Sequence, residues 1–427
     1  MTQKWDVVII GGGLAGYVAA NYLAKTNLSI LILEKGAKVG GRARTDRIHQ
    51  QYFNLGPHAL YKKGKAKPIL EEFGVQLMGK SPKQSVTLID HEMKYVAPFS
   101  PLGLLSTNYL NWKERLDWMG ILLKIQQMNL AELANLSFKN WVVQATPSLK
   151  VQSLLFILAR LSTYCHGPEV LSAKLIMTHI KIALGGVLYL DYGWQSLIDQ
   201  LHNQAVIKHV KVQTRTNVKE ITQVDDGHFR LETSTSKNIT ARYVISTIGP
   251  HELNQILSES VTMTQRGFFT DINSVQGATL DVALTELPDA KQLFAMGISE
   301  PMYFSVHSHY ARLSNHRNSV VLHVFKYYHN KEAIDGKKVQ LELEQFLDKV
   351  QTGWQKFVIT KRFIPQITVN QRFPLVGDEQ KLVPRSKTTI PGLYIAGDWA
   401  SPDYILSEAA ISSGKAAAEA IISKEME

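Results

Sequence analysis

The sequence predicts an α/β protein in which a doubly wound parallel sheet, assembled from both ends of the chain, is interleaved with a second domain of α+β type. Three observations carry that expectation. The chain opens on a strand, a glycine-rich turn and a helix in "WDVVIIGGGLAGYVAANYLAK". It closes on a strand, a Gly-Asp pair and a helix of small residues in "GLYIAGDWASPDYILSEAAISSG". Between them a mainly helical stretch and two runs of short strands fill a chain of 427 residues, more than one hydrophobic core usually supports.

Trp5 to Ile10 is rich in β-branched residues, as a strand covered on both faces would be. Gly11, Gly13 and Gly16 then give G-x-G-x-x-G ahead of helical spacing, and the strand "SILILE" ends on Glu34. Gly11 allows the tight turn, Gly13 lets backbone approach a pyrophosphate, and Gly16 lets helix pack on strand. Leu14 and Ala15 open the helix whose free N–H groups would face the phosphates. Glu34, with Lys35 beside it, stands where a carboxylate accepts hydrogen bonds from ribose hydroxyls. Strand, turn, helix and acid at these spacings mark a Rossmann-type dinucleotide site.

After Glu34 comes "KGAKVGGRARTDR", which puts Gly40, Gly41, Arg42 and Arg44 beyond the second strand. A nicotinamide dinucleotide needs no second glycine-arginine loop there, whereas a cofactor extending past the first loop would use one. At these residues the chain resembles the FAD-dependent amine oxidase and phytoene desaturase superfamily, phytoene dehydrogenase-like members included. The resemblance implies a GR2-like FAD-binding domain over residues 1–75, 186–275 and 366–427, with the substrate domain over 76–185 and 276–365. It further implies that Gly41 and Arg42 border the cofactor and that Gly56 and His58 lie near the flavin. Val218 would contact adenine through its backbone, and Thr247 would end a strand near the phosphates. Gly397 and Asp398 would hold the pyrophosphate and ribityl chain, and the helix starting near Leu406 and Ala409 would aim its N-terminus at the flavin ring.

The middle of the chain gives the second domain. Leu102 to Ile182 is mainly helical and rich in large apolar residues, and "GGVLYLDYGWQSLIDQLHNQ" returns the chain to the first domain. Asp226-Gly227 is a hairpin turn between alternating runs. "ATLDVALTE", "MYFSVHS", "SVVLHVFKYY" and "KFVITKRFI", interrupted by the helix "KVQLELEQFLDKV", predict an antiparallel sheet over the flavin.

A flavin carries the hard chemistry, so no catalytic motif is required of the chain. His58, after a Gly-Pro turn, is suited to moving a proton while hydride leaves, or equally to holding its loop. Strand alternation puts Tyr303 and His307 on one face, and His323 and Lys326 on opposite faces. Lys326 is compared with the water-bridged lysine of amine oxidases; the alternative is an exposed strand lysine. Trp399 and Tyr404 are the aromatic residues placed to flank the flavin, with Tyr404 a catalytic candidate. The histidines show no H-x-x-H spacing, so no metal is expected. Cys165, the only cysteine, lies far from the C-terminal motif, so FAD should be non-covalent and no intrachain disulfide can form.

A formal charge of +10 suggests an anionic partner, but the lysines at 62, 63, 65 and 67 read as a solvated loop, and nothing resembles nucleic-acid recognition. No signal segment and no run of 18 uncharged apolar residues is visible, which suits a cytoplasmic protein with possible peripheral membrane contact. Three functions are therefore in play. The first is an FAD-dependent oxidoreductase acting on an apolar, carotenoid-like or lipid-like substrate, with oxygen or a quinone as electron acceptor. The second is a flavin amine oxidase, and the third a non-catalytic binder on the same fold, as GDP dissociation inhibitors are. The apolar helices suit the first function and would serve equally as an ordinary core.

Overall fold

The computed structural model describes residues 3–82, 86–224, 227–235, 238–258, 266–316, 319–330, 332–382 and 388–427, and of the expected hairpin turn Asp226 lies outside them. Two seven-stranded sheets organise the chain. The first has the strand Gln3–Ile10 at its centre, parallel to Ile30–Leu33 on one side and to Asn238–Ser246 on the other. Lys211–Gln213 extends one edge in parallel, while Phe229–Thr233 and Val218–Gln223 add an antiparallel hairpin to the other. Leu393–Ile395 pairs in parallel with Asn238–Ser246, so the end of the chain enters the sheet begun by its start.

Val7, Val8, Ile9, Leu31 and Ile32 are fully buried because this sheet is covered on both faces, which explains the unbroken apolar runs. One cover is the helix Leu14–Leu23, with the closing helix Leu406–Met426 against it. Their approach is set by glycine: a Cβ on Gly414 would stand 2.5 Å from the carbonyl oxygen of Ala15.

The second sheet runs in the order Val358–Asn370, Val275–Leu284, Val320–Tyr327, Met302–Ser305, Phe294–Gly297, Thr87–Asp90, Met93–Val96. It is antiparallel except where Phe294–Gly297 lies parallel to Thr87–Asp90. Alternation divides its faces. Leu280, Val282, Phe304, Leu322 and Val324 pack under the helix Gly336–Val350 with Val339, Leu343 and Phe346. Tyr303, Phe325 and Tyr327 share a core with the helical segment on the other side. That segment comprises Pro101–Ser106, Trp112–Gln127, Phe138–Ala145, Leu149–Thr163 and Ala173–Ala183. Ser100, Asn111, Ser137, Ser148 and Ser172 cap these helices through their side chains, Asn111 in a reciprocal capping box with Glu114.

Candidate functional site

One cavity of about 810 Å³ runs from the glycine turn of the first sheet to the inner face of the second. Its first end is made by backbone. Gly11, at φ +107°, turns the chain out of the strand, and a Cβ on Gly16 would stand 2.1 Å from the Gly11 carbonyl oxygen, so neither position accepts a side chain. The Gly40 N–H donates to the Gly12 carbonyl at 2.7 Å, which locks the second glycine loop onto the first. Gly41 stands open toward Gly13, with 3.6 Å between its would-be Cβ and the Gly13 Cα. The helix Leu14–Leu23 has no side-chain cap and no acid in its first turn, so its N-terminal N–H groups are available to an anion.

Glu34 lines this end with both carboxylate oxygens fixed, Oε2 accepting from Gly12 N–H at 2.9 Å and Oε1 from Gly36 N–H at 2.6 Å. A carboxylate has about four acceptor sites, so two remain for hydroxyls. Lys35 also lines the cavity and pairs with Glu252 at 2.6 Å. Thr247 donates its hydroxyl to the Ile10 carbonyl at 2.8 Å, tying two strand ends together beside Gly11. Gly397, at φ +131°, donates its N–H to Ser413 Oγ at 2.9 Å. Asp398 next to it takes Arg42 in a two-pronged ion pair, Nη2 to Oδ1 at 2.7 Å and Nη1 to Oδ2, and accepts the Gln371 N–H at 3.0 Å.

This end fits FAD. Uncapped helix N–H groups and the Arg42 guanidinium would meet a pyrophosphate, Glu34 a ribose, and the backbone of Gly11, Gly13 and Gly41 leaves room for close approach. The closing helix presents Leu406, Ser407 and Ala410 to the cavity further along. Leu406 takes φ +57°, a left-handed conformation unusual for leucine, and is held there by its N–H to Asn370 Oδ1 at 2.8 Å.

The other end is made by side chains: Val86 and Phe99 from the second sheet's edge, Leu158, Leu161, Tyr164, Ile180 and Leu184 from the helices, and Phe294, Tyr303 and Phe325 from the second sheet. Every Asp, Glu, Lys or Arg lining the cavity among the described residues belongs to the first end: Glu34, Lys35, Arg42, Glu252 and Asp398.

Gly11, Gly13, Leu14, Ala15, Glu34, Lys35, Gly41, Arg42, Gly56, His58, Thr247, Gly397, Asp398 and Leu406 all line this cavity, as does Tyr303. Gly16, Val218 and Ala409 do not. Gly16 lies behind Gly11, Ala409 is buried in the closing helix, and Val218 begins a strand in the core shared with Leu33. His58 is tied at both nitrogens, Nδ1 2.9 Å from the Gly56 oxygen and Nε2 3.1 Å from the Arg42 oxygen, with its ring edge-on to Trp194 at 5.0 Å. Burial pushes its pKa down to about 4, so at neutral pH it is an uncharged clasp between the two loops.

Two expectations are corrected. Lys326 does not reach the cavity: alternation turns it to the outer face, where Nζ pairs with Glu342 at 2.8 Å. Nor do Trp399 and Tyr404 flank the cavity. Trp399 is fully buried, donating to the Ile248 carbonyl at 2.8 Å and packing edge-on against Phe269, while Tyr404 packs toward His179 with ring centroids 6.5 Å apart. The aromatic wall comes instead from Tyr164, Tyr189, Phe294, Tyr303 and Phe325, which no local motif announces. Cys165 is buried, hydrogen-bonded to Thr163, and pushed up to about 12 by burial, an inert thiol outside the cavity lining.

Residues 14–422 match the family model for flavin containing amine oxidoreductases. An L-amino acid oxidase of Crotalus durissus cumanensis is 43% identical over 72 residues, a match spanning 17% of this chain and 14% of that protein. An oxidoreductase from Methanosarcina mazei has the same fold at a TM-score of 0.79 and 16% identity, over 98% of this chain and 100% of that one. A putrescine oxidase with putrescine bound superposes at 0.78 with 14% identity, over 99% and 100%.

Proposed function

The chain belongs to the flavin containing amine oxidoreductase family, and we propose that its substrate is an apolar molecule, carotenoid-like or lipid-like, taken up at a membrane surface. It is an FAD-dependent oxidoreductase, and FAD when bound supplies the hydride acceptor. The observation that carries the substrate class is the confinement of charged lining residues to the cofactor end. A polyamine or amino acid would leave its charges without counter-charges among the lining residues described, and desolvating them would cost several kcal/mol. An apolar chain instead meets Leu158, Leu161, Ile180 and Phe294, and gains about 25 cal/mol for each Å² it buries. Residues 1–75, 186–275 and 366–427 serve the cofactor in this reading, and 76–185 with 276–365 serve the substrate.

Delivery is supported by the helices next to the cavity. Phe99 and Ser100 line it, and the helices that follow expose Leu102, Leu105, Trp112, Leu116, Met119 and Leu123. The last four recur at helical spacing along one side of Trp112–Gln127, while Trp118, Ile121 and Ile125 are buried on the other. Exposed Lys113 and Lys124 lie on the same helix and Lys94 on the strand Met93–Val96 before it, positive charges suited to an anionic lipid surface. No helix among the described residues is long and apolar enough to cross a membrane.

A second reading, oxidation of a neutral or singly charged amine, draws on the aromatic side chains Tyr164, Tyr189 and Phe325, whose ring faces attract a cation. Anaerobic mixing of the yellow protein with polyenes, lipids and amines separates the two. Bleaching of the flavin by polyenes or lipids is expected; bleaching by amines alone overturns the apolar substrate. A colourless protein that releases no flavin on denaturation would point to a non-catalytic binder. Vesicles with and without anionic lipid test delivery: binding should require the anionic lipid and should weaken about tenfold in Trp112→Ser with Leu116→Ser.

A further inference from the structure

Behind the cavity wall lies a row of buried polar groups that neither cofactor nor substrate contact explains. Tyr303, at the wall, has its hydroxyl 2.8 Å from His307 Nε2. The His307 ring meets the His323 ring at 4.6 Å between centroids, nearly edge-on at 64°. His323 Nδ1 lies 2.7 Å from Asp281 Oδ1, which also accepts the Thr279 hydroxyl at 2.8 Å. Asp281 Oδ2 accepts from Arg362 Nε at 2.9 Å and Nη2 at 2.6 Å, and Arg362 reaches outward to Asp46 at 2.9 Å. Tyr303, His307, His323 and Asp281 are each at most 2% exposed.

Burying four such groups is expensive unless each is satisfied. One nitrogen is not: His323 Nε2 is buried with no hydrogen-bond partner. Charge anchors the Asp281 end of the row. Asp281, whose burial would raise its pKa, is held below the usual carboxylate value by His323 and Arg362, so it is ionised and takes the Nδ1–H of His323. The His323 ring so held is the one that packs against His307.

We infer that Tyr303 is the proton acceptor of the cavity, and that His307, His323 and Asp281 are the positioning residues that make it one. His307 packs its ring edge-on against His323 and keeps its Nε2 lone pair for the Tyr303 O–H. The phenol oxygen then faces the cavity as an acceptor. A substrate X–H bond breaks with its electron pair left on the substrate. The proton joins the Tyr303 oxygen, and the tyrosine's own proton passes to the His307 Nε2 lone pair. Tyr303 is restored as a neutral phenol, and the new positive charge on His307 sits one ring away from the Asp281 carboxylate. Burial raises the Tyr303 hydroxyl well above its usual range, so phenolate is not the base and the handover to His307 is required. His307 is held well below its usual value by burial, with His323 and His58 nearby, so it begins uncharged at neutral pH and can hold the passed proton only transiently. The groups that face this pair are Ser305, Tyr164, Tyr189 and Tyr327 around Tyr303, and His58 and His323 around His307, with Asp281 and Arg362 behind His323.

The inference rests on the oxidoreductase reading for its substrate and not for its geometry, so two measurements separate them. NMR of histidine-labelled, FAD-loaded protein reads the ring nitrogens directly. His307 Nε2 is expected unprotonated in the unaltered chain, Tyr303→Phe should displace that resonance, and Asp281→Asn should shift the proton on His323. A protonated His307 Nε2, or a resonance unmoved by Tyr303→Phe, overturns the arrangement. If Asp281→Asn does not fold, Thr279→Val removes one hydrogen bond from the same carboxylate and should move the His323 signal less in the same direction. Single-turnover flavin reduction by whichever polyene, lipid or amine bleaches the protein should then fall roughly 100-fold in Tyr303→Phe with substrate affinity kept. A loss below threefold overturns the proton step. If no compound bleaches the flavin, the substrate reading fails while the NMR result still decides the arrangement.

Discussion

The two ends of the cavity are built by different means. At the cofactor end the wall is largely main chain brought to contact distance: Gly16 under the Gly11 carbonyl, Gly414 under the Ala15 carbonyl, one glycine loop hydrogen-bonded to the other. At the substrate end the wall is side chain, contributed by helices and strands from across the sequence. A backbone wall tolerates no added atom, whereas a side-chain wall changes shape with each substitution. The first therefore preserves one ligand, and the second can be retuned.

The sharpest way to break this comparison is a single methyl group. Gly16→Ala places a Cβ 2.1 Å from backbone oxygen, and Gly414→Ala one at 2.5 Å. Both should yield protein without bound flavin, read from the visible spectrum, and normal flavin content in either would contradict the claim that backbone approach forms this end.

Glu408 tests the joint between the two ends. Its carboxylate is fully buried in the closing helix, accepts the Ala66 N–H at 2.9 Å, and leaves Oε1 without a partner. Burial raises its pKa from 4.5 to about 7 against the hydrogen bonds from Ala66 and Lys65. Between those values the folded chain keeps a proton that the unfolded chain has lost, so stability should fall as pH rises through that window and level off above it. The linked free energy is about 3 kcal/mol. Glu408→Gln should flatten the dependence, seen as a smaller difference in melting temperature between acidic and mildly alkaline buffer. An unchanged difference would assign the dependence to other groups.

Asp398→Asn leaves the shape of the cofactor end but removes half of its ion pair with Arg42. Charge-assisted hydrogen bonds are worth about 1.5–3 kcal/mol, so flavin should dissociate roughly ten to a hundred times faster, measured by fluorescence on dilution. At the substrate end Leu161→Ala should leave flavin content untouched and weaken an apolar ligand by about 1–2 kcal/mol. Loss of flavin in this variant would erase the distinction between the ends.

The same division explains what could be read from the sequence. Gly11, Gly13 and Gly16, Glu34 at its spacing, Gly41-Arg42 and Gly397-Asp398 are local patterns whose physical task dictates residue type, and all but the supporting Gly16 line one cavity. The small residues of the closing helix were likewise legible, because close helix packing demands them. The substrate end was not. Whether Lys326 faces inward depends on strand pairing and on which face the helix Gly336–Val350 covers, which its neighbours in sequence do not decide. Trp399 and Tyr404 lie close to the Gly-Asp pair in sequence, but Trp399 turns into the core of the first sheet and Tyr404 packs toward His179. Asp281 and His323 meet because their strands pair in that register, across 42 positions that carry no recurring spacing.

The closing helix fixes when the cavity can be completed. Gly397, Asp398 and Leu406 complete a wall begun at Gly11, so a nascent chain exposes its first glycine turn long before the residues that finish the site are made. At about 5–20 residues per second, the intervening stretch takes roughly 20–80 s to synthesise. Through that interval the central strand Gln3–Ile10 also waits for its neighbour Asn238–Ser246. The cofactor end is thus complete only once residues 393–406 have been made and have joined the first sheet.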